Sequence, residues 1–250
     1  MKKELKRIST FICVLLTIAI LAACANKEQA DKTPSIVPDV QPTAQASQIA
    51  GGSSIRLDYA SNPYMVLVNK SNKIPDDWLK KVTLVDATNT FGDQNKVEEK
   101  AYEAFLELRE DLMKNDSIHI ELDSAYRSVE AQQETVDYFT KEYGAEYAAT
   151  YAAVPGYSEH HTGLALDIYL VDPDGTDIFM NEDMLARTEE FAKVHAKLAR
   201  YGFILRYLEG KKDITGYAYE PWHLRYINDI EVAQEIMDRN ITFEEYLGLA

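Results

Sequence analysis

Residues 158–170 read Ser-Glu-His-His-Thr-Gly-Leu-Ala-Leu-Asp-Ile-Tyr-Leu, and the second half of this stretch decides the fold class. Leu164 to Leu170 is an apolar run of strand length that one acid, Asp167, interrupts. In a strand, Asp167 shares a face with Tyr169, and Leu164 lies on the other face. An unpaired buried carboxylate is costly, so Asp167 needs a positively charged partner, and a metal ion is one such partner.

The segments around this run show a mixture of extended and helical patterns. Strands are predicted at 65–68, 118–124, 203–207 and 217–227, and helices at 94–114, 128–143, 182–200 and in the tail. In the tail, Thr242 and Glu245 have the spacing of a capping box. Because helices and strands mix without a regular βαβ repeat, the sequence predicts an α+β fold with an antiparallel sheet.

The first 23 residues have the pattern of a bacterial signal peptide. A basic start is followed by thirteen apolar or small residues, whereas a spanning helix needs about 20. The sequence Leu21-Ala-Ala-Cys24 resembles a lipobox, in which cleavage precedes the cysteine and the thiol receives a diacylglycerol. We therefore expect a lipoprotein signal peptide at 1–23 and lipidation at Cys24. A secreted protein with an incidental cysteine is the alternative.

Residues 25–54 are rich in Ala, Gln, Pro, Ser, Thr and Asp and show no apolar period, which is typical of a flexible tether. We expect Cys24 and this tether at 24–54, and a single folded domain at 55–250. Cys13 leaves with the signal peptide, so the mature chain has no thiol pair for a disulfide. A metal site in the domain would then use histidines and carboxylates.

Composition excludes several classes of protein. The 250 residues carry a net charge of -15, and removal of the basic residues 1–23 would leave -18. Such an acidic surface argues against a nucleic-acid partner. The hydrophobic content of 46% argues against disorder, and two cysteines argue against a disulfide scaffold. No obligate protein partner is evident, and membrane contact is expected through the lipid anchor only.

Asp167 has candidate co-ligands in two histidine-containing segments. His160 precedes the predicted strand by a loop in which Gly163 permits a sharp turn, and His223 comes from a distant strand. Two imidazoles and one carboxylate match catalytic zinc sites, which have three protein ligands and one open position. From the residues alone, the choice between His160 and its neighbour His161 stays open.

Further residues suit a hydrolytic site around such an ion. Glu220 lies three residues before His223 and is a candidate acid/base that takes a proton from the attacking water and returns it to a leaving amine. Arg127 can pair with a substrate carboxylate or face a developing oxyanion. The residues expected to line the substrate pocket are Ser124, Gln132 and Ser158, which offer hydrogen bonds, and Trp222, expected as pocket wall or core.

Together these segments resemble the VanY-type D,D-carboxypeptidases and the related L,D-carboxypeptidases, which are zinc peptidases of peptidoglycan. The family motif S-x-H-x-x-G-x-A-x-D is matched by Ser158, His160, Gly163, Ala165 and Asp167, and E-x-W-H by Glu220, Trp222 and His223. An upstream S-x-Y-R-S segment followed by a glutamine is matched by Ser124, Tyr126, Arg127, Ser128 and Gln132. The resemblance covers residues 60–247.

The resemblance implies a central antiparallel sheet flanked by helices and a Zn²⁺ site formed by His160, Asp167 and His223. It assigns the general base to Glu220, transition-state and carboxylate binding to Arg127, and further carboxylate contacts to Ser158 and Gln132. The implied activity is removal of the C-terminal D-alanine from peptidoglycan stem peptides by an extracytoplasmic, lipid-anchored enzyme.

Three alternatives to this activity stay open. One is an L,D-carboxypeptidase that acts on tetrapeptide stems, and another is an endopeptidase that acts on cross-links. A third is a non-catalytic cell-wall-binding lipoprotein that keeps the fold, although the complete set of candidate ligands disfavours it.

Overall fold

The computed structural model describes residues 62–88 and 94–250. The predicted signal peptide 1–23, the predicted lipidation site Cys24 and the predicted tether lie outside these residues, as do residues 55–61 at the start of the expected domain. Within the described ranges, no helix combines the length and the apolar character that a membrane-spanning segment requires.

The domain alternates short strands with helices of very different lengths. The strands are β1 (Leu84–Thr88), β2 (Gln94–Glu98), β3 (His119–Ser124), β4 (Ala165–Val171), β5 (Asp177–Ile178), β6 (Phe203–Tyr207) and β7 (Glu220–Tyr226). The α-helices are α1 (Glu99–Asp116), α2 (Val129–Tyr143), α3 (Ala145–Tyr151), α4 (Asn181–Ala186), α5 (Thr188–Leu198), α6 (Lys212–Thr215), α7 (Ile230–Arg239) and α8 (Phe243–Tyr246). The predicted α+β class is confirmed.

The central sheet is antiparallel, with the order β3-β4-β7-β6 and the short β5 beside β4. Strands β1 and β2 form a separate antiparallel pair. Strand β4, which contains Asp167, therefore lies inside the sheet between β3 and β7. This interior position explains why residues 164–170 are almost uniformly apolar, because neighbouring layers cover both faces of the strand.

Helices cover both faces of the sheet, and strand β6 shows this directly. Its residues Phe203 and Leu205 belong to the main core, which also contains buried residues of α1 and α5. Ile204, which points the opposite way, belongs to a second core with residues of α7 and α8. Arg206 shares the face of Ile204, so this guanidinium is directed into the layer that α8 covers.

Two predicted helix boundaries are wrong, the first because strand pairing overrides helical spacing and the second because the backbone of Arg187 is not helical. Residues 94–98 form β2 against β1, and the helix that was predicted from 94 begins only at Glu99. Glu98 caps that helix, since its carboxylate accepts a hydrogen bond from the Ala101 amide at 2.9 Å. The predicted helix 182–200 is interrupted at Arg187, which separates α4 from α5 and pairs with Asp172 at 2.7 Å.

The strand predicted at 65–68 is also wrong. Residues Pro63–Met65 form a short 3-10 turn, and the segment that follows pairs with no strand of the described sheet. The Arg225 guanidinium takes the place of a strand partner, because it donates to the carbonyls of Tyr64 at 2.8 Å and Val66 at 2.7 Å. A buried side chain thus satisfies the backbone here.

The other main elements agree with the predictions. The strand that leads into Ser124, the helix 128–143, the strands around Asp167 and at 203–207, and the strand that contains His223 are all present. The capping box of Thr242 and Glu245 is formed in both directions. Within the described residues, these elements carry the candidates Ser124, Gln132, Asp167, Glu220, Trp222 and His223, and Arg127 lies in the short link between β3 and α2.

Candidate metal centre and active site

The three candidate ligands meet at one point of the sheet. Asp167 on β4 lies opposite His223 on β7 in the antiparallel register. His160 comes from the 3-10 turn Glu159–Thr162, after which Gly163, at φ +70°, reverses the chain toward β4. One possible ligand atom from each of the three side chains lies within 4.8 Å of the other two. Of the two adjacent histidines, the structure brings His160 into this centre.

In each imidazole, one ring nitrogen faces Asp167 and the other faces away from it; we call these the inner and the outer nitrogen. A hydrogen bond fixes each outer nitrogen. Nδ1 of His160 lies 2.7 Å from the carbonyl oxygen of Ala125, which only accepts, so Nδ1 carries a proton. Nε2 of His223 lies 3.0 Å from a carboxylate oxygen of Glu159. In the neutral rings, the inner nitrogens therefore direct lone pairs toward Asp167. An outer acceptor for each imidazole is the arrangement typical of metal-bound histidines.

The centre requires positive charge. Oδ2 of Asp167 lies 3.2 Å from Nε2 of His160, and Oδ1 lies 3.0 Å from Nδ1 of His223. Oδ1 is nevertheless buried without a hydrogen bond of acceptable geometry. Burial lowers the pKa of His223, but the carboxylates of Asp167 and Glu159 outweigh it and raise this pKa to about 10. A proton or a metal ion between these atoms satisfies the centre, and the N/O donor set fits Zn²⁺.

Glu220 lies beside the three ligand residues. Its Oε2 is 3.7 Å from Nδ1 of His223, and it faces Tyr207 across the β6–β7 pair. Burial raises the pKa of Glu220 to about 7; His223 opposes this shift, whereas the carboxylates of Asp167 and Glu159 add to it. A carboxyl group that titrates near neutral pH is suited to accept and return a proton.

Arg127 is held on the other side of Asp167. Its NH1 group donates to Oε1 of Gln132 at 2.9 Å, and its NH2 group donates to Oγ of Ser124 at 3.4 Å. Ser124 is opposite Asp167 in the register, after an irregularity that follows Leu122. The side chains of Arg127, Gln132 and Ser124 therefore form one group, which we call the arginine cluster. Burial lowers the pKa of Arg127 and Asp167 opposes the shift, so the guanidinium keeps its charge.

The last two sequence candidates lie in different surroundings. Ser158 is buried at the start of the turn that carries His160, and its side chain makes no capping hydrogen bond there. Trp222 belongs to the main hydrophobic core and is 9% exposed. Because Trp222 adjoins His223 in a strand, the two side chains point to opposite faces. The position of Trp222 agrees with a core or wall residue rather than with direct substrate contact.

His161 fixes the backbone of the arginine cluster, a role that the sequence did not indicate. Its Nδ1 lies 2.7 Å from the carbonyl oxygen of Arg127, and its Nε2 accepts a hydrogen bond from the Gly156 amide at 3.0 Å. The amide of Arg127 in turn donates to the carbonyl of His160 at 3.1 Å. The two adjacent histidines therefore connect the metal centre with the arginine segment through backbone contacts.

Glu159 is the main site residue that sequence reasoning missed. Its fully buried carboxylate accepts hydrogen bonds from Arg206 at 2.8 Å, from Arg225 at 2.9 Å and from His223 at 3.0 Å. Although burial favours protonation, the two guanidinium groups hold the pKa of Glu159 well below its usual range. Glu244 completes the network with two hydrogen bonds from Arg206. The ring of His223 is thereby fixed by a rigid ionic network.

A sequence signal for this network did exist. Arg206 and Arg225 are both fully buried, and each lies between two buried hydrophobic neighbours in its strand. The reasoning that gave Asp167 a partner applies equally to them, since a buried charge requires a counter-charge. The sequence does not show that Glu159 is the partner, because it is separated from the two arginines by 47 and 66 positions along the chain.

Comparison with known proteins identifies the family of this chain. The family described as VanY, D-alanyl-D-alanine carboxypeptidase, matches residues 94–229, which is more than half of the chain. The chain belongs to the VanY family of carboxypeptidases. The D-alanyl-D-alanine carboxypeptidase of Enterococcus faecalis is 35% identical over 193 residues, which are 74% of this chain and 65% of that protein.

Solved structures of the VanY family and its relatives share the fold. A vancomycin resistance D,D-pentapeptidase VanY, determined in complex with Zn(II), is 31% identical with a TM-score of 0.59, and the match covers 74% of this chain and 98% of that one. The LD-carboxypeptidase LdcB is 32% identical with a TM-score of 0.59, and the match covers 74% and 85% of the two chains. Both kinds of carboxypeptidase therefore match this chain equally well in overall fold.

Replacement of Glu159 with glutamine is expected to weaken zinc binding by about tenfold to a hundredfold, as is usual when the outer partner of a ligating histidine is lost. The amide removes the negative charge that fixes the His223 tautomer while it keeps the shape of the side chain. Competition with a chromophoric chelator measures the affinity.

A Glu244→Gln variant is the control for this effect. It perturbs the same network through Arg206 but does not contact His223. Both variants are expected to lower the melting temperature, whereas only Glu159→Gln weakens zinc binding strongly. Equal zinc affinity in Glu159→Gln and the unaltered chain would show that Glu159 does not orient the ligand.

Proposed function

We propose that this chain is an extracytoplasmic zinc carboxypeptidase that removes the C-terminal D-alanine from peptidoglycan stem peptides. The observation that carries the proposal is that the metal centre lies between a proton acceptor and a group that can bind a carboxylate. The centre formed by His160, Asp167 and His223 requires a cation, and Glu220 lies on one side of it. On the other side is Arg127 in the arginine cluster, next to Asp167 in the sheet register.

His160, Asp167 and His223 would hold the ion in this proposal. When bound, Zn²⁺ supplies Lewis acidity toward the scissile carbonyl group. Glu220 takes a proton from the attacking water and transfers it to the nitrogen of the departing D-alanine. The raised pKa of Glu220 supports this cycle, since the carboxyl group must both accept and release the proton.

Arg127 explains the restriction to chain ends. A guanidinium group binds a carboxylate through two parallel hydrogen bonds, and a buried one discriminates strongly against a neutral amide. Gln132 and Ser124 already contact Arg127 and limit its rotamers. Ser158, which lies two residues before the ligand His160, is proposed to add a hydrogen bond to the same carboxylate. An endopeptidase is disfavoured, because a peptide bond has no negative charge for Arg127 to bind.

L,D-carboxypeptidase activity on tetrapeptide stems is the second candidate. The D,D-pentapeptidase and LdcB structures are equally similar to this chain, and this similarity supports L,D-carboxypeptidase activity as an alternative. Both reactions use the same centre and the same terminal carboxylate, so the choice depends on the stereochemistry accepted at the residue before the scissile bond.

The deciding experiment compares purified residues 55–250 on a muramyl pentapeptide and on the corresponding tetrapeptide, with and without chelator. We expect release of D-alanine from the pentapeptide and loss of that release after zinc removal. Release from the tetrapeptide alone would establish the second candidate. Release from neither peptide by the zinc-loaded enzyme would contradict the proposed function and favour a wall-binding protein.

Arg127→Met in the same assay tests the exopeptidase mechanism. Loss of a charged hydrogen-bonding pair is expected to lower kcat/KM on the free-acid peptide by about a hundredfold. A C-terminal amide peptide, which lacks the charge, is a poor substrate for both enzymes and should show no further loss. An equal loss on both peptides would assign Arg127 a structural role instead.

Lipid anchoring belongs to the proposal as well. The basic start, the short apolar stretch and the Leu21-Ala-Ala-Cys24 sequence support cleavage before Cys24 and attachment of a diacylglycerol there. Incorporation of labelled fatty acid into the full chain, and its absence in Cys24→Ser, tests this part. A full chain that takes up no label would contradict lipidation at Cys24.

A further inference from the structure

A groove on the surface adjoins the arginine cluster but contains none of its residues. It is lined by Lys70, Ala149, Ala152, Ala153, Val154 and Tyr157. Its walls are mostly small or apolar, and Lys70 supplies the only formal charge among these residues. Such a lining suits an extended peptide that carries a single negative group.

The groove is connected with the site at its alanine wall. Nε2 of Gln132 donates to the carbonyl oxygen of Ala153 at 2.8 Å, while Oε1 of the same side chain accepts from Arg127. Tyr157, another residue of the lining, directly precedes Ser158 in the chain. A peptide whose terminal carboxylate lies at Arg127 is therefore next to this groove.

Lys70 is linked to the site through a row of aromatic rings. The Lys70 ammonium lies 4.6 Å from the centroid of the Tyr217 ring. The Tyr217 and Tyr207 centroids are 4.7 Å apart, and the Tyr207 and His223 centroids are also 4.7 Å apart. Three short contacts thus link Lys70 to a metal ligand. An extended peptide at about 3.3 Å per residue spans that distance with no more than about four residues.

Lys70 is held in place without an acidic partner. Its methylene groups pack over Gly216, where a Cβ atom would lie 2.8 Å from Cδ of Lys70. Within residues 62–88 and 94–250, no carboxylate forms an ion pair with its ammonium group, although the protein is strongly acidic. Lys73, on the same loop, differs because it pairs with Asp76 at 3.2 Å. An ordered ammonium group beside a groove is available for a ligand carboxylate.

We propose that Lys70 binds a carboxylate of the substrate peptide upstream of the scissile bond, and that the groove holds this part of the peptide. This inference rests on the proposed carboxypeptidase function. It makes the enzyme selective for acidic stems: Arg127 binds the terminal carboxylate, and Lys70 binds a second one within about four extended residues of the metal centre. Stems whose upstream carboxylate is amidated would then be poorer substrates.

The test uses synthetic peptides that end in D-Ala-D-Ala and differ only by glutamate or glutamine at the third or the fourth position from the C-terminus. For a surface ion pair, the unaltered enzyme should prefer the acidic member of one pair by about fivefold in kcat/KM. Lys70→Met keeps the packing over Gly216 but removes the charge, and it should abolish this preference. Lys73→Met makes the same change of net charge on the same loop and should retain the preference.

The outcomes separate this inference from the proposed function. Equal cleavage of acidic and amide peptides by the unaltered enzyme would overturn the role of Lys70 while it leaves the carboxypeptidase activity intact. An acid preference that survives in Lys70→Met would overturn it too. Failure of the zinc-loaded enzyme to release D-alanine from any peptide would overturn the underlying function and the inference together.

Discussion

Glu220→Gln is expected to retain zinc and to lose at least about a hundredfold in kcat on a D-Ala-D-Ala peptide, because an amide cannot accept a proton from water. The side chain lies 3.7 Å from the inner nitrogen of His223, outside the set of three ligands. Glutamine keeps the size of the side chain, so the centre should keep its shape. Zinc content by atomic absorption and turnover by D-alanine release measure the two quantities on the same sample.

Several controls make this result specific. Glu209→Gln removes one exposed acid from the loop after β6 and should leave kcat unchanged. KM should change little in Glu220→Gln, since Arg127 rather than Glu220 binds the terminal carboxylate. A Glu220→Gln enzyme with normal turnover would refute the assignment of the general base, and loss of zinc in it would instead make Glu220 a ligand.

The elements that the sequence predicted well are those in which burial and periodicity agree. Residues 164–170 are apolar because β4 lies inside the sheet, and 128–143 is bounded by a Ser128 cap and Gly144. The failures occur where a tertiary contact replaces the local preference. Residues 94–98 fit the helical spacing of α1 yet pair with β1, and 65–68 looks extended yet is held by a guanidinium group.

The site residues that could be predicted are those whose residue type is unusual for the surrounding sequence. Asp167 in an apolar strand and a His-containing turn before Gly163 are local signals. Glu159 was not predictable in the same way, because an acid before a histidine has no local signature and its role depends on the partners Arg206 and Arg225. The tautomer of His223, the separate role of His161 and the groove beside Lys70 depend likewise on contacts between distant segments.

Asp167→Asn is expected to abolish zinc binding, and with it all turnover. The carboxylate contributes the only negative charge among the three ligands, and both of its oxygens face an imidazole nitrogen. An amide of the same shape is neutral and a much weaker ligand. The loss of zinc affinity should therefore exceed the roughly tenfold to hundredfold loss expected for Glu159→Gln, which changes only the hydrogen-bond partner of a ligand.

Thermal unfolding measures this loss without reference to activity. Zinc binds the folded state, so its addition should raise the melting temperature of the unaltered domain but not that of Asp167→Asn. Asp213→Asn, an exposed change of the same charge in α6, should keep the full zinc-dependent rise. A similar rise in Asp167→Asn would place the ion elsewhere. Because the Asp167 carboxylate helps to raise the pKa of His223, the variant should also lower that pKa, which chemical shifts of the metal-free domain would report.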